Sequence, residues 1–175
     1  ARFEFVIERA PAVAIQGFDR FGTVTHWNAA SARLYRYGQD RALGARLYEL
    51  LYTPEAAREV IAEVERVYQT GTATELKEWR AGLHDGRDVW VLTTMFPVFE
   101  KGKVAEVFRM DVDITERKRA EQALAERERE LDAIVENLPL TVFVKDAEHL
   151  RFVRVNRAGQ ELFGLSPVEL LGHND

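Results

Sequence analysis

Hydrophobic and polar residues alternate near the start of the chain with the two-residue period of short β-strands. Residues 12–18 and 23–27 follow this pattern, and the intervening Asp-Arg-Phe-Gly has the composition of a turn. The sequence therefore predicts a β-hairpin. Asn28, a favoured helix N-cap residue, follows at once and predicts a short helix that ends at Gly38.

The apolar spacing changes to a helical period in residues 53–71, which have the clearest helix pattern of the chain. Thr53 is the predicted N-cap, Pro54 fits the first helical position, and Gly71 follows the last turn. One stripe of this helix is apolar and consists of Ala57, Val60, Ile61, Val64, Val67 and Tyr68. We expect that stripe to pack against a core. Weaker helical patterns occupy residues 3–10 and 40–51.

Three further strands are predicted after this helix, in residues 72–83, 87–99 and 103–114. The turns between them are marked by His-Asp-Gly and Glu-Lys-Gly. Two strands, then helices, then three strands is an order typical of the α+β class. We predict a five-stranded antiparallel sheet with the helices gathered on one face.

The last predicted strand continues without a loop into a charged helical segment that extends to residue 138. Asp113 and Glu116 have the three-residue spacing of a capping box, in which each side chain binds a backbone N–H of the first helical turn. This spacing predicts the point at which the strand becomes a helix.

Apolar residues of this helix recur in a three-four alternation, interrupted by Arg117 and Arg127. The alternation favours a parallel dimer seam through Leu124, Leu131 and Ile134. The alternative is a solvated linker helix, stabilised by ion pairs along its surface. An imperfect seam also suits a connector, because two helix packings of similar energy respond to a small bias.

An internal repeat appears when the second part of the chain is placed 128 residues after the first, without a gap. The matched pairs are Glu8 with Glu136, Pro11 with Pro139, Asn28 with Asn156, Ala30 with Ala158, Leu34 with Leu162, Leu43 with Leu171, and Gly44 with Gly172. The end of the chain therefore repeats the opening hairpin and first helices, without the later strands. We expect a complete domain followed by the beginning of a second one.

Composition excludes several classes of protein. The 175 residues are 46% hydrophobic, which is enough for one core and part of another. A net charge of −5 without a basic patch disfavours nucleic acid as a partner. No run of residues could span a bilayer or act as a signal peptide, so we expect no membrane contact from this segment and a cytoplasmic location; an anchor elsewhere in a parent protein stays open.

In its ordered set of motifs the chain resembles the PAS domain family, in tandem. The resemblance rests on "GTVTHWNAASARLYRYG", the helix after "TPE", the hairpin "DGRDVWVLTTMFPVF", the exit "DVDITERKRAEQAL" and the repeated "NLPLTVFVKD" and "RFVRVNRAGQELFG". It implies a PAS domain over residues 1–114, a connector helix over 115–137 and a truncated second PAS domain over 138–175. It also implies a sensory or dimerisation input to an effector in the same parent protein, such as a sensor histidine kinase or diguanylate cyclase.

The resemblance implies that a small-molecule ligand would lie between the sheet and the long helix. The residues expected to line that space are Val60, Val64, Trp90, Leu92, Phe108 and Met110. The alternative is a filled core made by the same residues, in a PAS domain that only dimerises and transmits. The family's Asp-Ile-Thr exit further implies that Asp113, Thr115 and Glu116 couple the sheet to the connector helix.

The sequence contains few residues that could bind a cofactor or carry out catalysis. A light-sensing covalent flavin needs a cysteine, and the chain has none. Haem needs an axial ligand, and His26 is the single histidine near the predicted core. We therefore expect neither haem nor covalent flavin, while a non-covalent flavin redox sensor stays open. No catalytic or metal-binding motif is present.

Overall fold

The computed structural model describes residues 10–46 and 51–173. The chain divides into two compact units, Ala1–Lys118 and Arg119–Asp175. The described elements of the first unit are β1 (Val13–Phe18), β2 (Val24–Trp27), α1 (Ala29–Tyr35), α2 (Gln39–Ala42), α3 (Pro54–Thr70), β3 (Lys77–Gly82), β4 (Asp88–Glu100), β5 (Lys103–Asp113) and the start of α4 (Thr115–Asn137). The helix predicted over residues 3–10 lies outside the described residues, apart from Ala10, which is not helical.

The five strands form one sheet in the order β2-β1-β5-β4-β3, and every neighbouring pair is antiparallel. Strand β5 is the middle strand, and its eleven residues pair with β1 on one side and β4 on the other. The predicted α+β fold with a five-stranded antiparallel sheet is confirmed. No described helix is long and apolar enough to cross a membrane.

Helix α3 begins and ends as its sequence predicts. The Thr53 side chain accepts a hydrogen bond from the backbone N–H of Ala56, and Pro54 occupies the first turn. Gly71 follows the helix at φ 63°, a left-handed conformation that glycine adopts without strain, and its N–H donates to the carbonyl of Val67. The apolar stripe is thereby aimed at the sheet.

The main core lies between α3 and one face of the sheet, which we call the inner face. Its buried members include Val60, Val64 and Val67 from the helix, and Met95 and Val107 from the strands. The opposite, outer face has a smaller buried cluster around Ile15 and Phe108. Residues of one strand alternate between these two environments, as the pleat of a strand requires.

Two predicted boundaries are wrong. Helix α1 ends at Tyr35, because Arg36 adopts the left-handed conformation at φ 54°, two residues before the predicted stop at Gly38. Strand β3 begins at Lys77 instead of residue 72. In the segment before it, the Thr74 side chain accepts the N–H of Met95 at 2.8 Å, so a hydroxyl replaces a backbone partner there.

The second unit contains the rest of α4, β6 (Phe143–Lys145), β7 (Phe152–Val155), α5 (Arg157–Phe163) and α6 (Pro167–Leu170). Strands β6 and β7 pair antiparallel. Asn156 caps α5 by accepting the N–H of Gly159, as Asn28 caps α1 by accepting that of Ser31. The repeat is therefore structural at these two asparagines.

The gapless form of the repeat is wrong by one residue in the first strand. Gln16 pairs with Trp27 in the first unit, whereas Phe143 pairs with Val155 in the second. These pairs are offset by 127 and 128 positions, because 143 minus 16 is 127 and 155 minus 27 is 128. The hairpin loop of the second unit therefore contains one more residue.

Candidate functional site

The sequence-predicted pocket residues lie on both faces of the sheet and do not come together. Val60 and Val64 of α3 are buried on the inner face, in the main core. Phe108 is buried and Met110 half-buried in the cluster on the outer face. A single ligand cannot contact both sets, because the sheet separates them.

Trp90 and Leu92 of β4 were assigned to the inner face, and this assignment is also wrong. Val91 and Thr93, which alternate with them, are the fully buried residues, and Val91 pairs with Trp79 of the main core. Trp90 and Leu92 are half-buried and belong to the other face. The strand positions of the predicted pocket are therefore shifted by one residue.

A physical reason for the shift lies in β5 itself. Its inward-facing residues are Val107, Arg109 and Asp111, so two of the three carry charge. Hydrophobicity instead selects the alternate residues, Phe108 and Met110, which face the other way. A strand with charged residues on its buried face defeats the usual assignment of apolar residues to the core.

Arg109 and Asp111 form an ion pair in the interior of the first unit. Arg109 Nε donates to Asp111 Oδ1 at 2.8 Å, and the side chains are only 1% and 0% exposed. Arg109 Nε also lies 3.2 Å from Thr93 Oγ1. The guanidinium stacks over the Trp79 ring at 4.5 Å and lies 5.9 Å from the Tyr52 ring.

Asp111 accepts two further hydrogen bonds, both at its second carboxylate oxygen, Oδ2. Tyr35 Oη donates to Oδ2 at 2.6 Å, and Gln16 Nε2 donates to the same oxygen at 2.9 Å. Gln16 Nε2 also lies 3.5 Å from Ser31 Oγ, which links the pair to the N-terminal turn of α1. We call Gln16, Tyr35, Tyr52, Arg109 and Asp111 the polar cluster.

Three buried polar atoms of this cluster have no hydrogen-bond partner among the described residues: Gln16 Oε1, Tyr52 Oη and Arg109 Nη2. Buried polar groups in folded proteins are nearly always paired, and leaving one unpaired costs about 1–3 kcal/mol. The polar cluster therefore retains hydrogen-bonding capacity that the fold itself does not use.

Electrostatics keep both tyrosines neutral. Burial and then the charge of Asp111 raise the pKa of Tyr35 well above its ordinary value. Burial also raises the pKa of Tyr52, although the charge of Arg109 opposes this. Burial lowers the pKa of Arg109, but Asp111 and the tyrosines outweigh it and the net direction is upward. The cluster thus holds one cation and one anion.

Sequence reasoning missed the polar cluster, although the sequence contained an indication of it. Arg109 and Asp111 alternate with Phe108 and Met110 within one predicted strand, which the structure places at the centre of the sheet. A buried charge has to be paired, so charged residues that alternate with large apolar ones indicate an ion pair where both faces of the strand are covered. Only the pairing of β5 with β1 shows that Gln16 lies opposite Arg109.

The predicted signal-coupling residues lie where β5 becomes α4. Asp113 ends the strand, and its Oδ1 accepts the N–H of Thr115 at 2.8 Å. Thr115 Oγ1 in turn accepts the N–H of Trp90 on β4 at 3.0 Å. Ile114 is buried between them, and its N–H donates to the Trp90 carbonyl at 2.9 Å.

The predicted capping box between Asp113 and Glu116 is wrong. The helix begins at Thr115, one residue later than that motif requires, so Asp113 binds the N–H two residues on. This geometry is an Asx turn, in which an aspartate side chain orders the chain just before the helix. Glu116 is exposed in the first turn, where its charge favours the helix N-terminus.

The first turn of α4 is also held from β3. Glu78 accepts a hydrogen bond from Arg117 at 2.5 Å and forms an ion pair with Lys118. The hydrogen bonds from Lys118 and Arg117 lower the pKa of Glu78. Lys118 Nζ also lies 5.3 Å from the Trp90 ring. We call the contacts that Asp113, Trp90 and Glu78 make with the first turn of α4 the joint.

The predicted dimer seam is exposed in the chain. Leu124 is 61% exposed, Leu131 62% and Ile134 52%. The three side chains lie within about one-quarter of the helix circumference of one another along one stripe of α4. Nothing within the described residues covers this stripe.

His26, the histidine left open as a haem ligand, faces away from the main core. Its ring lies 4.9 Å from that of Phe108 on the outer face, and Nδ1 is 3.7 Å from Glu106 Oε1. The described residues contain no group of three or more histidine, cysteine, aspartate or glutamate side chains arranged for a metal ion.

A sequence profile of the PAS fold matches residues 8–119, and a second PAS-fold profile matches residues 129–174. Sensor protein FixL of Bradyrhizobium diazoefficiens is 26% identical over 149 residues, which are 85% of this chain and 29% of FixL. The chain thus spans less than a third of the length of that relative.

Solved structures resemble the chain at the level of fold. The PAS domain of a Colwellia psychrerythraea protein has a TM-score of 0.56 at 22% identity, covering 66% of this chain and 96% of that one. VqmA bound to DPO has a TM-score of 0.55 at 17% identity, covering 64% and 56%. An RNA-binding light-oxygen-voltage receptor has a TM-score of 0.55 at 24% identity, covering 73% and 36%.

These likenesses agree with the strand order, the antiparallel sheet and the covering helix described above. They also agree with the repeat at Asn28 and Asn156, since each of these asparagines lies in one of the two matched regions. Because the first PAS-fold profile alone covers more than half of the chain, the protein belongs to the PAS family.

Proposed function

We propose that this chain is a sensory input module of a signal-transduction protein, in which changes in the PAS sheet reach an effector through α4. The observation that supports this proposal is the joint. Strand β5 becomes α4 with a single residue between them, and the helix start is bonded to other strands of the same sheet. A rigid connection of this kind transmits displacement, whereas a flexible loop would absorb it.

The joint receives contacts from three adjacent strands. Asp113 belongs to β5, Trp90 to β4 and Glu78 to β3, and each binds the first turn of α4. A shift of any of these strands relative to the others therefore changes the direction or register of the helix start. A bias of about 1–3 kcal/mol is typical of coupling between sites in switching proteins.

The exposed stripe of α4 supports the second part of the proposal, a parallel homodimer. Three large apolar side chains, spaced seven and three residues apart, lie at positions of a coiled-coil seam. Pairing with a second copy would remove them from water. In a paired helix, the joint would set how the two copies pack and thereby what an effector receives.

The organisation that we propose is a PAS domain over residues 1–114, a connector over 115–137 and the beginning of a second PAS domain over 138–175. FixL, which is named a sensor protein, is much longer than this chain, and this supports placing the effector elsewhere in a parent protein. A histidine kinase or diguanylate cyclase effector in the cytoplasm would suit this arrangement.

A second candidate is a PAS domain that dimerises and transmits without a ligand. The dense packing of buried apolar residues between α3 and the inner face favours it. Native mass spectrometry of the purified chain separates the two, because it reports bound small molecules and oligomeric state together. A retained small molecule supports the sensory candidate.

The dimer is tested by light scattering across micromolar concentrations. We expect wild type to be dimeric and Leu131→Asp to be monomeric, because the new carboxylate would be buried in the seam. Ala133→Asp is the matched control: it adds the same charge on the opposite side of α4, at an exposed position. A monomeric wild type, or equal effects of both substitutions, would contradict the seam.

The input role is tested in the full-length protein. Asp113→Ala and Thr115→Ala should each change basal output or the response to stimulus, while leaving the fold intact. Thr115→Ser keeps the hydroxyl and should behave as wild type. Wild-type output and response in both alanine variants would mean that the joint is only a stable start of a helix.

A further inference from the structure

The polar cluster has hydrogen-bonding groups that the fold leaves unused, and they lie in one region of the inner face. Gln16 and Arg109 are direct partners across the β1–β5 pair. Tyr52 lies beside Arg109, whose guanidinium carbon is 5.9 Å from the tyrosine ring. The unused set comprises one donor at Arg109 Nη2, one acceptor at Gln16 Oε1 and the Tyr52 hydroxyl.

The orientation of these groups is fixed by bonds already made. Gln16 must direct its amide nitrogen at Asp111, because a carboxylate only accepts, and its oxygen is therefore the unused end. Tyr52 is held through the backbone, since it forms a bridge with Leu83 and the N–H of Thr53 donates to the carbonyl of Gly82. Preorganised polar groups of this kind are what a recognition site requires.

Charge decides the class of molecule that would fit. Arg109 and Asp111 neutralise each other at 2.8 Å, and Tyr35 and Tyr52 are uncharged. A carboxylate ligand would therefore leave a net negative charge buried, and an ammonium ligand a net positive one. Either is strongly unfavourable, because the buried charge loses its hydration without gaining a counter-charge. An uncharged polar ligand has no such cost.

We propose that the polar cluster binds a small uncharged molecule in which a hydrogen-bond acceptor lies next to a donor, as in a carboxamide. The acceptor would take the hydrogen of Arg109 Nη2 or of the Tyr52 hydroxyl, and the donor would reach Gln16 Oε1. The Trp79 ring, against which Arg109 already stacks, offers an apolar wall. This inference rests on the proposed sensory function and names the ligand class.

Ligand entry would also supply the input that the joint requires. The three unused atoms are buried in the first unit among Tyr35 of α1, Trp79 of β3 and Asp111 of β5, so a ligand has to part that packing. Asp111 lies two residues before Asp113 on the same strand. A displacement of β5 at the polar cluster therefore occurs two residues before Asp113, whose side chain orders the start of α4.

The test uses acetamide and acetate as probes, because they share size and shape and differ in charge and in the presence of a donor. Binding to the whole chain is followed by chemical shifts of backbone amides. We expect saturable shifts with acetamide at Gln16, Tyr52 and Arg109, and much weaker ones with acetate. Equal responses to both probes, or none to acetamide, would overturn the proposal.

Two matched variants identify the site. Tyr52→Phe removes a hydroxyl without a partner, so it should leave the chain as stable as wild type or more stable, yet weaken acetamide binding roughly three- to tenfold. Tyr68→Phe removes a hydroxyl that donates to the Ala105 carbonyl at 2.8 Å, so it should lower stability and leave binding unchanged. If Tyr52→Phe bound acetamide as wild type does, the assigned site would be wrong.

Failure of the ligand class and failure of the sensory role give different results. Acetamide that does not bind, with joint variants that still alter output, would refute the ligand class alone. Acetamide that binds in the expected way, with joint variants that leave output unchanged, would refute the sensory role and retain the site.

Discussion

The backbone N–H of Trp90 donates a hydrogen bond to Thr115 Oγ1 at 3.0 Å, so the first residue of α4 is bonded to a strand 25 residues earlier in the chain. Ordinary helix starts are capped by a neighbouring residue, and this bond adds a distant one. Loss of the hydroxyl leaves the Trp90 N–H without this acceptor.

Thr115→Val, which keeps the shape and removes the hydroxyl, should lower the free energy of unfolding of the first unit by about 1–2 kcal/mol. Chemical denaturation measures this effect. Hydrogen exchange should also quicken at the Trp90 amide. Thr115→Ser is the control and should retain most of the stability; a Val variant as stable as the Ser variant would show that the bond contributes little.

The buried ion pair should respond to mutation in a strongly non-additive way. Arg109→Met alone leaves Asp111 charged and buried without its cation, and should cost about 3–5 kcal/mol or prevent folding. The double variant Arg109→Met with Asp111→Leu removes both charges and should recover much of that loss. Urea unfolding of both variants provides the measurement. A double variant less stable than Arg109→Met would contradict this account.

Asn28 should be more sensitive than a typical N-cap. Its Oδ1 accepts the N–H groups of Ile15 and Ser31 at 3.0 and 2.9 Å, and its Nδ2 donates to the Val13 carbonyl. An ordinary cap contributes about 1 kcal/mol, whereas Asn28→Ala also leaves buried groups of β1 unpaired and should cost roughly 2–4 kcal/mol. Thr53→Ala at the start of α3 is the matched control, and an equal loss in both variants, measured by thermal unfolding, would argue against the extra role.

Alkaline pH should destabilise the first unit through its buried tyrosines. The pKa values of Tyr35 and Tyr52 are raised by burial in the folded chain, so the folded state keeps protons that the unfolded state loses. The stabilisation is complete below the unfolded tyrosine pKa of about 10 and is lost as pH rises above it toward the folded values. Thermal unfolding measured from neutral pH upward should show this decline, and Tyr52→Phe should make it shallower.

The parts of the fold that follow from local chemistry could be predicted from the sequence. Pro54 and Gly71 bound α3 because their backbone preferences leave few alternatives, and Asn28 opens α1 for the same reason. The family resemblance came from motifs of this kind. The end of α1 was not predictable, because Arg36 adopts a left-handed conformation in which glycine is the usual residue.

The candidate site could be predicted less well, because it depends on which face each strand residue occupies. Phe108 and Arg109 are neighbours in the sequence and lie on opposite faces of the sheet. Only the register with β1 and β4 shows which of them faces α3. The joint could be predicted better. Asp113 and Thr115 follow from the sequence, whereas the hydrogen bond to Trp90 depends on strand pairing.

The unpaired hydroxyl of Tyr52 affects which residue evolution retains at this position. Tyrosine and phenylalanine codons differ by a single base, so mutation offers Tyr52→Phe often, and the change removes an unpaired buried group worth about 1–3 kcal/mol. If the hydroxyl had no task, selection for stability would favour its loss. Related chains that bind the same molecule should therefore keep tyrosine at this position, and chains that have lost the ligand should show phenylalanine there first.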